Sequence, residues 1–145
     1  MTVSHRRSAN PSLVPAMLRV GAFYFLLVFA AGFLLGLIRV PFVVPAIGVR
    51  SAELLEMPLM LLVIVCAARW LSKNYGIAGN KAALVCGITG LLLMLASELL
   101  MVTLVLQRSL IEHLSSRDPV SGCVYLAMLL VFALMPLILL KVRAR

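Results

Sequence analysis

Residues 82–106 read AALVCGITGLLLMLASELLMVTLVL, an unbroken apolar run with a single charge, Glu98. As a helix rising about 1.5 Å per residue this stretch is about 37 Å long, enough to cross a hydrocarbon core of about 30 Å. The run predicts a transmembrane helix and sets the class of the whole chain. Two further stretches read the same way, since 20–38 and 120–140 carry no charge at all. The remaining span is harder. Its charge-free part, 57–68, would cover only about 18 Å. It must extend backward to Ala52, which brings Glu53 and Glu56 to or below the membrane surface.

Composition agrees with this reading. Of 145 residues 63% are hydrophobic and 12% charged, and mean hydropathy is +1.14; soluble domains are roughly 45–50% apolar and about 25% charged. These values exclude a secreted disulfide scaffold, a disordered tail and a water-soluble enzyme. What remains outside four spans leaves no room for an extramembrane domain, which needs about 50 residues. The expected fold is all-α: a polytopic membrane protein, a bundle of four transmembrane helices at about 20–38, 52–70, 82–106 and 120–140. They form one domain over 18–140, between a basic tail at 1–17 and a basic end at 141–145. The first apolar run is too long for the h-region of a secretory signal, about 7–15 residues, and no small-x-small cleavage pattern follows it, so it reads as a retained helix.

Orientation follows from Lys and Arg. Arg6, Arg7, Arg19, Arg69, Lys73, Lys81, Lys141, Arg143 and Arg145 fall on the side of the termini, against Arg39, Arg50, Arg108 and Arg117 on the other. The positive-inside rule then places both termini in the cytoplasm. All five acids, Glu53, Glu56, Glu98, Glu112 and Asp118, fall in the outer half or the outer loops. The basic pI of about 10.3 is mainly an orientation signal, and no aromatic-interleaved basic patch speaks for nucleic acid.

The connections differ in character. Residues 40–49, VPFVVPAIGV, read as a loop from two prolines and a glycine, yet an apolar one that lies in the interface or dips back toward the core. Ser51 is the expected N-cap of the second helix, with Glu53 in its first turn. Residues 75–80, YGIAGN, make a helix-to-helix turn, and Asp118-Pro119 starts the fourth helix with a cap and a first-turn proline.

Chemistry-bearing residues gather on the outer side. An antiparallel hairpin of the second and third helices puts Glu98 level with position 53 and Glu56 level with position 95, so that three carboxylates share about one helical turn in depth. Gly87, Gly90, Met94, Glu98 and Met101 form one stripe of small and adaptable residues, which turns Glu98 inward. There an ionised carboxylate costs several kcal/mol unless it is paired, hydrated or protonated. Glu98, Glu56 and Glu53 are therefore candidates for binding an ion or proton; for Glu98 a structural lock against an arginine stands beside that reading. Arg39 and Arg50 are candidate counter-ions, or interface anchors on lipid phosphate. Pro58 is a candidate kink that frees the carbonyl of Leu54 beside the glutamates, and Pro136 a second kink without acidic neighbours. Gly32 and Gly36, a Gly-x-x-x-Gly pair, are candidate helix-contact positions.

The rest reads as packing. Cys66, Cys86 and Cys123 form no Cys-x-x-Cys motif, and the eight methionines, Met57 and Met60 among them, read as core filling rather than as soft-metal ligands. Glu112-His113 has no second ligand at helical spacing, so no metal site is assigned. Ser97 and Thr103 can bond carbonyls of their own helix. Serine-nucleophile, zinc-protease and phosphate-loop motifs are missing, and His5 and His113 stand outside the spans; no catalytic residue and no cofactor is assigned.

Arg39-Val40, Pro45, Gly48, Glu53, the run Glu56-Met57-Pro58-Leu59-Met60, the run Arg117-Asp118-Pro119-Val120-Ser121-Gly122 and then Val124-Tyr125 resemble a group of uncharacterised four-span bacterial inner-membrane proteins over roughly 18–140. The resemblance implies the four-span architecture and a bacterial inner membrane, and carries no activity. Two function classes follow. The first is a non-catalytic accessory or assembly subunit, joined to a membrane-protein partner or to another copy through its Gly-x-x-x-Gly face. The second is a small ion- or proton-coupled transporter that uses the outer carboxylates; no repeat relates the two halves. Either class has the lipid bilayer as its surroundings.

The orientation is open to direct test. Cysteines placed at Ser4 and at Ser116 should differ toward an impermeant thiol reagent added to intact cells, with labelling above the parent background at Ser116 only. Labelling at Ser4 alone would invert the topology.

Overall fold

The computed structural model describes residues 13–77, 79–105 and 119–143; the expectations for His5, Arg6, Arg7, Arg108, Glu112, His113, Arg117 and Asp118 lie outside them. The elements are α1 (Leu13–Ile38), a π-helical turn (Arg39–Val43), α2 (Val44–Ile47), α3 (Val49–Asn74), α4 (Asn80–Leu100) running into a second π-helical turn (Met101–Val105), and α5 (Pro119–Arg143). Four helical stretches, Val14–Ile47, Val49–Asn74, Asn80–Thr103 and Pro119–Arg143, are long and apolar enough to cross a membrane. The described residues contain no strand. The fold is the all-α bundle of four membrane helices.

The segment expected as an apolar loop is helical instead. A proline ring excludes the bond to the carbonyl four residues back, but Pro41 lies in the π-helical turn, where the pairing is one residue longer. Pro45 lies at the start of α2, where its missing N–H breaks no ladder. Gly48 alone makes the reversal: its φ of 82° suits glycine, its N–H donates to the Val44 carbonyl at 2.9 Å, and its carbonyl accepts from Ala52 at 3.1 Å. Gly48 therefore caps α3, and Ser51 lies inside the helix rather than capping it; Glu53 falls beyond the first turn. The turn after α3 is as expected, with Gly76 and Gly79 at positive φ.

Around the bundle the order of neighbours is α1, α4, α5, α3 and back to α1. The helices α3 and α4, expected to form a side-by-side hairpin, are diagonal to each other. Two facts allow it. The connection from Tyr75 to Gly79 can span about 17 Å when extended, more than the diagonal of about 13 Å in a square of helices 8–10 Å apart. On α4, moreover, the small-residue contacts are spent on α1 and α5. A Cβ built on Gly21 of α1 would lie 2.7 Å from the Cys86 carbonyl oxygen, and one on Gly87 would fall on the backbone carbonyl of Ala133 in α5. Close backbone approach of this kind drives helix association where lipid removes the hydrophobic incentive.

The tightest packing lies in the half of the bundle holding these contacts. Tyr24 of α1 crosses the middle, stacks on Phe132 with ring centroids 4.4 Å apart, and donates its hydroxyl to the Phe132 carbonyl at 3.0 Å. Gly90 makes room for both rings. Ile64, Ala68, Leu71, Ala83 and Cys86 are buried around them. The perimeter is apolar and open, with Leu34, Leu62, Leu92 and Leu130 each about three-fifths exposed, as contact with a lipid bilayer requires.

Gly87→Ala should destabilise the bundle by about 1–3 kcal/mol, the usual range for overpacking, whereas Gly122→Ala, whose Cβ meets nothing within 4 Å, should not. Melting temperatures in mild detergent check this; equal values for the two variants would show that α4 and α5 do not need their close approach.

Candidate functional site

The half of the bundle toward Gly48 is open inside. Away from the Gly21 and Gly87 contacts the helices leave a partly open cavity of about 670 Å³ between α1, α3, α4 and α5. Val28, Ile64 and Phe132 line it at the end nearer the core.

The α1–α3 hairpin sets the register. Gly32 faces the end of the Met60 side chain, which a Cβ there would meet at 3.3 Å, and seven residues on, Arg39 reaches α3 at Glu53 and Glu56. Its Nη1 lies 3.8 Å from Glu53 Oε1 and its Nε 3.1 Å from Glu56 Oε2. Glu53 and Glu56 are three residues apart on one helix face, so one guanidinium serves both. Arg39 Nε and Glu56 Oε2 are buried and lack an aligned hydrogen bond; the distance makes them an ion pair, and that is how each is compensated. Such a pair resists removal of one partner more than its own formation stabilises the fold.

Glu98 also lines the cavity and accepts a hydrogen bond from the Tyr125 hydroxyl of α5. The α1–α4 contacts, Gly21 with Cys86 and Thr89 and Tyr24 with Gly90, carry forward to set Glu98 level with Gly32, hence with Met60. Glu98 is thus about 6–10 Å deeper than Glu56 and Glu53 at the helical rise, rather than level with position 53. The difference follows from the diagonal placement of α3 and α4. The cavity has two polar tiers: an ion-paired one near its Gly48 end and the Glu98–Tyr125 pair deeper in.

The other sequence candidates divide. Arg50 is exposed, does not line the cavity and has its own partner. Pro58 stands exposed on the outside of a continuous α3, and Pro136 is fully buried in α5; neither lines the cavity. Gly32 and Gly36 line the cavity, and a Cβ on Gly36 would meet nothing within 4 Å, so neither is a point of backbone contact. That role falls to Gly21 and Gly87. Met57, Met60, Met94, Met101 and Met128 line the cavity as well; Met60, Met94 and Met128 also pack against the core, and Met17 and Met135 fill it as expected. Ser97 and Thr103 do bond their own helices, to the carbonyls of Met94 and Leu99 at 2.8 Å.

Tyr125 and Ser121 were missed as site residues. Both line the cavity, and Ser121 is buried. The available signal was the spacing of Ser121, Tyr125, Met128 and Phe132, one face of a helix, but periodicity does not say that this face meets α4.

Among the described residues no three His, Cys, Asp or Glu side chains converge closely enough to hold a metal ion. Comparison with known protein families, curated proteins and solved structures gave no match. What the arrangement offers chemically is charge: three carboxylates against one guanidinium in a space walled mostly by apolar side chains. A proton or a cation corrects that imbalance; an anion worsens it.

A double-mutant cycle tests the upper tier. Arg39→Gln with Glu56→Gln should show a coupling of about 1 kcal/mol or more, and Arg39→Gln with Glu53→Gln a smaller one, since neighbouring charges couple by about 0.5–3 kcal/mol. Additive melting data for both pairs would show that the contacts carry no energy.

Proposed function

We propose that this is a multi-pass protein of a bacterial inner membrane, with both termini in the cytoplasm, that takes a cation or proton from the outer side and holds it at Glu98: a small ion- or proton-coupled transporter. The observation carrying the reading is Glu98 in the cavity with, among the described residues, a tyrosine hydroxyl and not a base as its partner. A structural lock would set the cavity guanidinium on Glu98, yet Arg39 is engaged by Glu53 and Glu56. An acid in a cavity between membrane helices, partnered by a neutral donor, can gain and lose a charge without breaking an ion pair. Orientation rests on the Lys and Arg bias, which puts the Gly48 end outside, and the bacterial membrane rests on the resemblance of residues 39–60 and 117–125. Passage onward would require the Tyr24–Phe132 stack to part, since it fills the bundle beyond the cavity. The competing reading is a non-catalytic accessory or assembly subunit, with polar residues that fix the bundle and Gly32 and Gly36 as a partner face; that both glycines line the cavity favours the transporter over it.

In proteoliposomes on a solid-supported membrane, a jump in pH or in sodium or potassium concentration should displace charge in the wild type. It should not in Glu98→Gln, while the melting temperature stays the same. Equal transients in both proteins would remove Glu98 from any ion-binding role, and a large fall in melting temperature would return it to a structural one.

A further inference from the structure

The cavity is far larger than an inorganic ion needs. A water molecule takes about 30 Å³, so about 670 Å³ would hold on the order of twenty of them, and pockets for organic ligands run from about 300 to 1,000 Å³. Its walls are also wrong for an ion in water. Five of the eight methionines of the chain line it, among them Met60 and Met94, together with Phe29, Phe33 and Phe132. Thioether side chains are flexible and polarisable and mould to apolar shapes, and aromatic faces attract cations. Charge narrows the class further. The acids outnumber the bases in the lining, and its one base is committed to Glu53 and Glu56, which leaves Glu98 facing the space with, among the described residues, only a hydroxyl on it. An anionic or zwitterionic lipid headgroup would bring phosphate against three carboxylates. A divalent metal would need converging ligands, which the described residues do not provide.

We infer that the cavity is a binding site for a monovalent amphiphilic organic cation, a lipophilic amine or quaternary onium ion, with its charge at Glu98 and its apolar body against the methionine and phenylalanine walls. This rests on the proposed reading of Glu98 as a cation-binding group and specifies what it binds. The two are separable, because a proton or sodium ion at Glu98 needs none of the apolar volume.

The test uses the full chain in mild detergent, with tetraphenylphosphonium as the probe and tetraphenylborate, matched in size and opposite in charge, as the control. Equilibrium dialysis should show saturable binding of about one tetraphenylphosphonium per chain and none of tetraphenylborate. Glu98→Gln should weaken binding about tenfold or more, the loss expected when a charge partner is removed. Gly36→Phe supplies a second variant, since its side chain enters open cavity space: it should abolish phosphonium binding. If Glu98→Gln does not fold, Gly36→Phe decides the matter. Equal binding of phosphonium and borate, or phosphonium binding indifferent to either variant, overturns the assignment. Absence of saturable phosphonium binding with the pH-jump displacement intact overturns the organic-cation class and leaves the ion-binding reading standing; loss of both in the wild type ends both.

Discussion

Close backbone approach at Gly21 and Gly87 is the contact on which the rest of this bundle depends. Between helices surrounded by lipid there is no gain from burying one leucine against another, because the lipid is as apolar as the partner; what remains is van der Waals contact at short range and satisfied polar groups. Glycine on α1 and α4 lets backbone meet backbone in one half of the molecule. In the other half the helices carry methionine, phenylalanine and carboxylates toward one another and stand apart. The cavity is the geometric consequence of a bundle pinned at one end only.

The same constraint, that every backbone group in the membrane must find its partner inside the chain, explains the hairpin that reverses at Gly48. A loop of unpaired apolar residues at 40–49 would leave N–H and C=O groups in or near hydrocarbon. The chain avoids this by staying helical through a π-helical turn and α2 and reversing at Gly48. Arg39 is thereby held where the returning helix α3 presents Glu53 and Glu56, so the ion pair and the tight reversal belong to one device.

Depth separates the two polar tiers and assigns them different chemistry. The Arg39 tier is compensated internally and ties α1 to α3. The Glu98 tier joins α4 to α5 through a neutral hydroxyl and leaves the acid able to respond to what enters. Because the tiers lie on different helix pairs, a change at one need not disturb the packing of the other.

Hydropathy and charge along the chain determined the class, the four helices and the presence of an acid inside the third span, because these depend on the length and composition of local segments. The stripe from Gly87 to Met101 likewise turned Glu98 inward by helical periodicity alone. Periodicity says which face of a helix is special but not which helix it meets. Which neighbours α4 chose, and so the depth of Glu98 relative to Glu53, its meeting with Tyr125 and the gathering of five methionines around a cavity, was decided by the fit of glycine notches against backbone. That fit exists only between surfaces far apart in sequence. Prolines misled for a related reason: Pro41 and Pro45 are helix breakers by type, but at the positions they occupy the helix asks nothing of the N–H they lack.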